Sequence, residues 1–338
     1  MHEAVLYDRL DDGRVRCRVC PWDCQIGPGE KGRCQVRENR EGTLYALNYG
    51  LVAAAALDPI ERRGLYHLFP GSMILSLGGW GSNLSCRYRP ANPALPPAEK
   101  TRTLDPEKAI SFAIDRRCRG VAWGFQEPIT WLEYLLDSAM LVRANGMFTM
   151  MITNGYATQE ALDLLGPYMD AYIVELPALS PRDYAALCPE AQVDIILANV
   201  VHMQRQWRCH IELHTPLIPG RNDADEAVND LAVWIRDTLG PDVPWHLWRY
   251  EPAGELADQQ ATAPESLAHA REVGAMAGLR YVYVQTAQEG GLTSTLCPAC
   301  GNVVVHREGQ FKVKLTGLEG NKCSQCGQEI YLRRSIFK

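Results

Sequence analysis

Eight of the twelve cysteines fall into two groups, one at each end of the chain. The first reads Cys17-x2-Cys20-x3-Cys24-x9-Cys34, and the second Cys297-x2-Cys300-x22-Cys323-x2-Cys326. Clustered thiols in a reducing compartment are metal ligands rather than disulfides. The C-terminal group consists of two matched knuckles, each with a glycine directly after its second cysteine, Gly301 and Gly327. Two such turns bring four thiolates into a tetrahedron, which suits Zn²⁺. With sulfur at all four positions no coordination site is left open, so this is chemistry for structure. The N-terminal spacing is less regular, and Gly27, Gly29 and Gly32 give its loop the freedom to wrap an ion. Zinc is the first expectation there and an iron–sulfur cluster the second, since four thiolates hold either. Cys86, Cys118, Cys188 and Cys209 stand singly.

The chain has 338 residues, 40 acidic against 34 basic side chains, and a net charge of −6. The acidic balance argues against generic nucleic-acid binding. No apolar run approaches the roughly 20 residues of a membrane helix, and the start, Met1-His2-Glu3-Ala4-Val5, does not read as a secretory signal. The expectation is a cytoplasmic protein with a small-molecule substrate, no membrane and no nucleic acid, and room for a protein partner.

Between the cysteine groups, short apolar runs alternate with helical patterns. Strands are expected at Met73–Leu77, Gly120–Trp123, Phe148–Ile152, Ala171–Glu175, Cys209–Leu213, Trp245–Trp248 and Tyr281–Val284. Helices are expected at Pro106–Arg117, Trp131–Asn145, Gln159–Leu165, Val193–Gln206, Asp225–Leu239 and Ser266–Ala277. Asp105-Pro106-Glu107 reads as a capped helix start, and Gly146 as a helix stop. Repeated β–α units point to an α/β fold, a partial (β/α)6 barrel with functional residues at the C-terminal ends of its strands. A doubly wound sheet is the alternative that periodicity leaves open. The expected division is a Cys-rich metal-binding extension (1–70), a barrel (71–290) and a zinc ribbon (291–338). The loop Arg89–Pro97, with four prolines, is expected at the barrel mouth.

Several segments together resemble the radical SAM proteins of the AmmeMemoRadiSam system, relatives of the pyruvate formate-lyase and other glycyl-radical activating enzymes. They are Cys17-Arg-Val-Cys20-Pro-Trp-Asp-Cys24 with Gly32-Arg-Cys34-Gln-Val-Arg37, Asp58-Pro-Ile-Glu61-Arg-Arg-Gly-Leu-Tyr66-His67, Gln126-Glu127-Pro128, Thr153-Asn154-Gly155-Tyr156, Asp170-Ala171-Tyr172, Leu217-Ile-Pro-Gly-Arg-Asn-Asp223 and Cys297-Pro-Ala-Cys300-Gly. The resemblance is collinear over nearly the whole chain and implies a partial (β/α)6 barrel. It also implies a Cys-x3-Cys-x2-Cys motif just after the first strand, holding a [4Fe–4S] cluster that S-adenosylmethionine (SAM) chelates. Here the aligned stretch is Ser82-Asn-Leu-Ser-Cys86-Arg-Tyr-Arg89. A serine hydroxyl is a poor iron ligand and a guanidinium is none at all. The expectation is therefore a degenerate motif with no [4Fe–4S] cluster in the barrel, unless Cys118 or a partner supplies thiolates.

SAM, or a derivative of it, keeps its other anchors in this reading. The family's contact with the methionyl ammonium falls on Trp123, Gly124, Gln126 and Glu127. Asn154 and Glu175 end the next strands, with Pro177 where the activating enzymes carry a lysine. Arg89 is placed to grip the methionyl carboxylate. His214, after the fifth strand, is the candidate acid or base. Tryptophans at or near strand ends (Trp80, Trp123, Trp245 and Trp248) offer faces for a sulfonium. A sulfonium is already an electrophile, so the first functional expectation is non-radical group transfer or cyclisation, as by a transferase or lyase. A silent scaffold is the second, and a radical enzyme with an unconventional cluster the third.

Overall fold

The computed structural model describes residues 2–90, 102–285 and 292–335. Its centre is an eight-stranded sheet: β1 (Ala54–Pro59), β2 (Met73–Gly78), β3 (Gly120–Trp123), β4 (Phe148–Thr153), β5 (Ala171–Glu175), β6 (His210–Leu217), β7 (Trp245–Arg249) and β8 (Val282–Val284). β1 runs antiparallel to β2, and β2 to β8 are parallel throughout. Strands covered on both sides read as continuous apolar runs, which is why the seven parallel strands could be found in the sequence. Each strand lies beside its successor in the chain, with no switch point. A doubly wound sheet needs such a switch, so that alternative is excluded.

The crossovers carry helices α1 (Pro106–Asp115), α2 (Leu132–Ala144), α3 (Gln159–Leu165), α4 (Pro181–Leu187), α5 (Val193–Arg205), α6 (Asp225–Trp234) and α7 (Pro264–Met276). Right-handed crossovers that all step in one direction put every helix on one face of the sheet. Gly146 closes α2 with a left-handed φ of 67°, its N–H bonded to Arg143 O at 3.0 Å. Asp105 holds the position before α1, but its carboxylate pairs with Lys108 at 2.9 Å instead of capping the helix. α4 was not expected; Ser180, whose side chain accepts from the Asp183 N–H, starts it.

The period of two along each strand sorts side chains between two cores. Val121, Trp123, Met151, Tyr172, Val174, Ile211 and Leu213 face the helices. Ile74, Ala122, Phe148, Met150, Ala171 and Ile173 face the other way, where Ile60, Leu65, Leu68 and Phe69 pack on them. The segment after β1 thus plugs the inner face of the early strands. The late strands are different: their inward positions are His210, Glu212 and His214 on β6, and His246 and Trp248 on β7. A third small core joins Tyr66, Tyr281 and Tyr283 to Cys297, Val304, Val305, Cys323, Ile330 and Leu332 of the C-terminal unit.

The N-terminal part is built of short antiparallel strands. It is fixed to α2 by fully buried Arg37, whose Nη1 and Nη2 donate to the two Glu133 carboxylate oxygens at 2.9 and 3.0 Å. β1, although before residue 70, belongs to the central sheet. No helix among the described residues is long and apolar enough to cross a membrane.

Candidate functional site

The carboxyl ends of the parallel strands open on a cleft of about 1210 Å³. Ser82, Cys86 and Arg89, from the loop after β2, line it, and so do Gln126, Glu127, Asn154 and Glu175 from the ends of β3 to β5 and His214, which was expected after its strand but lies within β6 because that strand runs on to Leu217. Five of the seven expected SAM-pocket residues and the candidate acid or base His214 are thereby brought to one space. Two are not part of its lining. Trp123 is fully buried on the helix side, because it alternates with inward-facing Ala122, and Gly124 is buried. Of the four tryptophans offered for a sulfonium, Trp248 alone lines the cleft; Trp245 is buried and donates to Thr215 Oγ1 at 2.9 Å. Phe125 adds an exposed ring, held at a positive φ of 64° under the Arg63 guanidinium, 4.1 Å from its ring centre.

Glu127 is held in place by three donors. Its Oε1 accepts from Ile129 N–H at 3.1 Å and Thr153 Oγ1 at 2.7 Å, and its Oε2 from Asn154 N–H at 2.8 Å. It caps the turn Pro128–Trp131 and still borders the cleft. Burial pushes its carboxyl up to about 6, against the pull of these donors.

Arg89 is not idle. Its Nε donates to Glu175 Oε1 at 3.0 Å and its Nη2 pairs with Oε2, while Tyr88 Oη donates to Oε1 at 2.7 Å. Beside this carboxylate the guanidinium is held further into its charged form. The two residues expected to meet SAM separately meet each other. Cys86, read as a lone thiolate, is bonded to Cys188 in a disulfide, so it offers no free sulfur. Ser82 Oγ turns back to Leu84 O at 3.0 Å. No residue number between 91 and 101 is described, so the outer part of the proline-rich loop lies outside the described residues; Arg89 and Pro90 do line the cleft.

His214 Nε2–H donates to Gly64 O at 2.8 Å, which leaves Nδ1 as the acceptor nitrogen. Burial, then the neighbouring His246, push it down to about 3, so it is neutral in the ordinary pH range and offers a lone pair rather than an acid. Behind it is a network that the sequence did not reveal. Glu212 accepts from His210 Nε2 at 2.8 Å, His246 Nε2 at 2.5 Å, and the N–H groups of Tyr66 and His67 at 3.0 and 2.7 Å. Burial alone would raise this carboxyl, but the histidine donors outweigh it and hold it well below the usual carboxylate range. His246 Nδ1 accepts from Gln285, whose Oε1 accepts from Tyr66 Oη. Arg307 closes the far end, donating to Thr295 Oγ1 at 2.8 Å and Tyr66 O at 2.8 Å. The signal was the alternation His210-x-Glu212-x-His214, polar on every second residue of a buried strand.

The C-terminal cysteines converge as expected. The sulfurs of Cys297, Cys300, Cys323 and Cys326 all lie within 4.8 Å of one another, a group that could hold a metal ion. Gly301 and Gly327 follow the knuckles at φ 73° and 76°, where a Cβ would be strained. Cys17, Cys20, Cys24 and Cys34, with Arg37, line one small pocket of about 20 Å³, but among the described residues only the C-terminal cysteines converge as a group that could hold a metal ion. Burial pushes the Cys20 and Cys34 thiols up to about 12 and 11. Cys34 also lines the cleft.

These features define a mixed α/β protein with a radical-SAM-like fold. A radical SAM methyltransferase from Sphaerobacter thermophilus superimposes with a TM-score of 0.52 at 14% identity, covering 84% of this chain and 77% of that one. A domain of a pyruvate-formate lyase-activating enzyme from Bacteroides vulgatus is a weaker likeness, with a TM-score of 0.41 at 18% identity over 49% of this chain and 98% of that one. No protein-family model matches. The chain is 34% identical to the uncharacterized protein MJ0808 of Methanocaldococcus jannaschii over 98% of its own length and 99% of that protein's, and it belongs to the same family.

Proposed function

We propose that the cleft binds SAM or a close derivative and uses it in polar group transfer or cyclisation, without a [4Fe–4S] cluster. The observation that carries this reading is the convergence of Arg89, Gln126, Glu127, Asn154, Glu175 and His214 on one cleft at the strand ends. In this reading the sheet, β1 included, curls into a partial barrel that forms the catalytic unit. The three motif positions present a hydroxyl, a disulfide sulfur and a paired guanidinium, a set that does not fit a four-iron cluster.

Glu127 would take the methionyl ammonium on the remaining lone pair of Oε2. Arg89 would take the carboxylate, exchanging its contact with Glu175, and Trp248 and Phe125 would face the sulfonium. When bound, a sulfonium supplies an electrophilic carbon and needs no reductant. His214 Nδ1 would accept a hydrogen bond from the attacking group of a small-molecule substrate and orient it. The C-terminal thiolates would hold zinc, as would Cys17, Cys20, Cys24 and Cys34.

A second reading, a catalytically silent scaffold that binds a partner, draws on the Arg89–Glu175 pair, which satisfies both charges without a ligand. The test is reconstitution with iron and sulfide of a variant lacking Cys17 and Cys20. The proposal expects no SAM-perturbed iron–sulfur signal in electron paramagnetic resonance; such a signal would establish a cluster in the cleft.

A further inference from the structure

The Cys86–Cys188 disulfide, which keeps Cys86 from ligating iron, also ties two parts of the chain together. It joins the loop after β2 to the residue following α4, across 102 positions of sequence. The loop is held at the same place by Arg87, whose N–H donates to Leu187 O at 2.8 Å. Directly beneath, Tyr88 Oη lies 4.0 Å from Cys188 Sγ and donates to Glu175. On the other side, the Glu255 N–H donates to Arg87 O at 2.8 Å, so the 251–256 segment rides on the same loop. One covalent bond thus fixes a wall of the cleft, together with the Arg89–Glu175 pair.

Access to the two sulfurs is unequal. Cys86 is partly exposed and lines the cleft, whereas Cys188 is 1% exposed. The other ten cysteines form no disulfide. Disulfides that serve as staples belong mostly to small secreted domains with thin cores, and this chain has an extensive core. A disulfide whose exposed sulfur lines the cleft, in a chain whose other cysteines form none, fits a bond that opens.

We propose that Cys86–Cys188 is a redox-active disulfide, opened by a dithiol reductant that enters through the cleft, and that its opening frees the 82–90 wall. One thiolate of the dithiol attacks Cys86 Sγ, and the S–S bond breaks with its electron pair going to Cys188. The second thiol then displaces Cys86 and closes the reductant's own disulfide. The dithiol gives up two electrons and two protons, and Cys86 and Cys188 end as thiols. In the reduced state the loop keeps its hydrogen bonds to α4, Glu255 and Glu175 but loses its one covalent tether. The inference is independent of the reading that the cleft binds SAM.

The test uses the full-length protein, with no ligand present, equilibrated with mixtures of reduced and oxidised dithiothreitol. Peptide mapping without reduction should find the Cys86–Cys188 link at the oxidising end and two additional alkylatable thiols at the reducing end. Hydrogen exchange of residues 84–90 and 254–256 should quicken at least tenfold on reduction, with α2 unchanged. Cys188→Ser should show the fast pattern without any reductant. If that variant fails to fold, the wild-type titration decides alone. Absence of the link at every mixture would overturn the proposal. So would its loss with exchange unchanged, or with exchange raised throughout the chain, as for a structural staple.

Discussion

The buried histidines make a quantitative demand on stability in mild acid. His67 and His214 are pushed from 6.5 down to about 3, in both cases chiefly by burial. His67 is held between Tyr283 Oη and Tyr331 O, and His214 against Gly64 O. Below pH 6.5 the unfolded chain takes up protons at both residues and the folded chain takes up none until about 3. Stability is therefore complete above 6.5 and falls as the pH drops from there toward 3. Each unit of pH between these limits costs about 1.4 kcal/mol per histidine, so at about pH 5 the two together should cost about 4 kcal/mol relative to neutrality. His246 is also lowered by burial and adds to the loss. Glu212, held low, keeps its share of stability above the ordinary carboxylate range and loses it only as the pH falls further. Guanidinium unfolding followed by tryptophan fluorescence, at neutrality and at about pH 5, measures the difference. His214→Asn, which keeps a donor for Gly64 O, should reduce that difference by about 2 kcal/mol. Equal stability of the wild type at both pH values, or an undiminished difference in the variant, would refute the reasoning.

Cys300→Ser should lower the zinc content of the purified protein by elemental analysis. It should also quicken proteolysis within residues 292–335, because metal binding is folding energy for such a unit. Glu133→Ala leaves the Arg37 guanidinium buried without its carboxylate, which should cost about 3–5 kcal/mol in denaturant unfolding. Gly254→Ala puts a Cβ against the carbonyl oxygens of Arg87 and Arg89 at a positive φ of 61°. That should cost about 1–3 kcal/mol, and faster hydrogen exchange at residues 86–90 would report it directly.

Much of this architecture was legible because interior parallel strands must be apolar and their helices amphipathic. Seven strands and six helices were found close to their bounds, the least accurate stop being Leu239, where α6 passes into a π-helical turn at Ile235–Leu239. β1 escaped notice because Ala54-Ala-Ala-Leu57 shows little alternation and pairs only through tertiary context. α4, seven residues long like α3, was passed over although Ser180-Pro181-x-Asp183 carried its capping signal. Trp123 was misplaced because its position at a strand end was weighed without asking which face it takes. The inward Ala122 answers that. The Glu212 network was missed because its members come from the 61–67 segment, three strands and the C-terminal unit. No spacing relates Glu212 to Tyr66 at a separation of 146 residues. The same holds for Cys86 and Cys188, since pairing of scattered cysteines is set by the fold alone.

The central claim, that the cleft binds SAM without iron, comes down to one titration. SAM is added in a calorimeter to protein whose measured iron content is negligible, alongside Arg89→Ala and with decarboxylated SAM as the second ligand. The account predicts saturable binding of SAM by the parent protein. It also predicts a loss of roughly ten- to a hundredfold in the variant, about 1.5–3 kcal/mol for a charge-assisted contact, with a smaller loss for the decarboxylated ligand. No heat of binding from the iron-free parent protein would contradict the account.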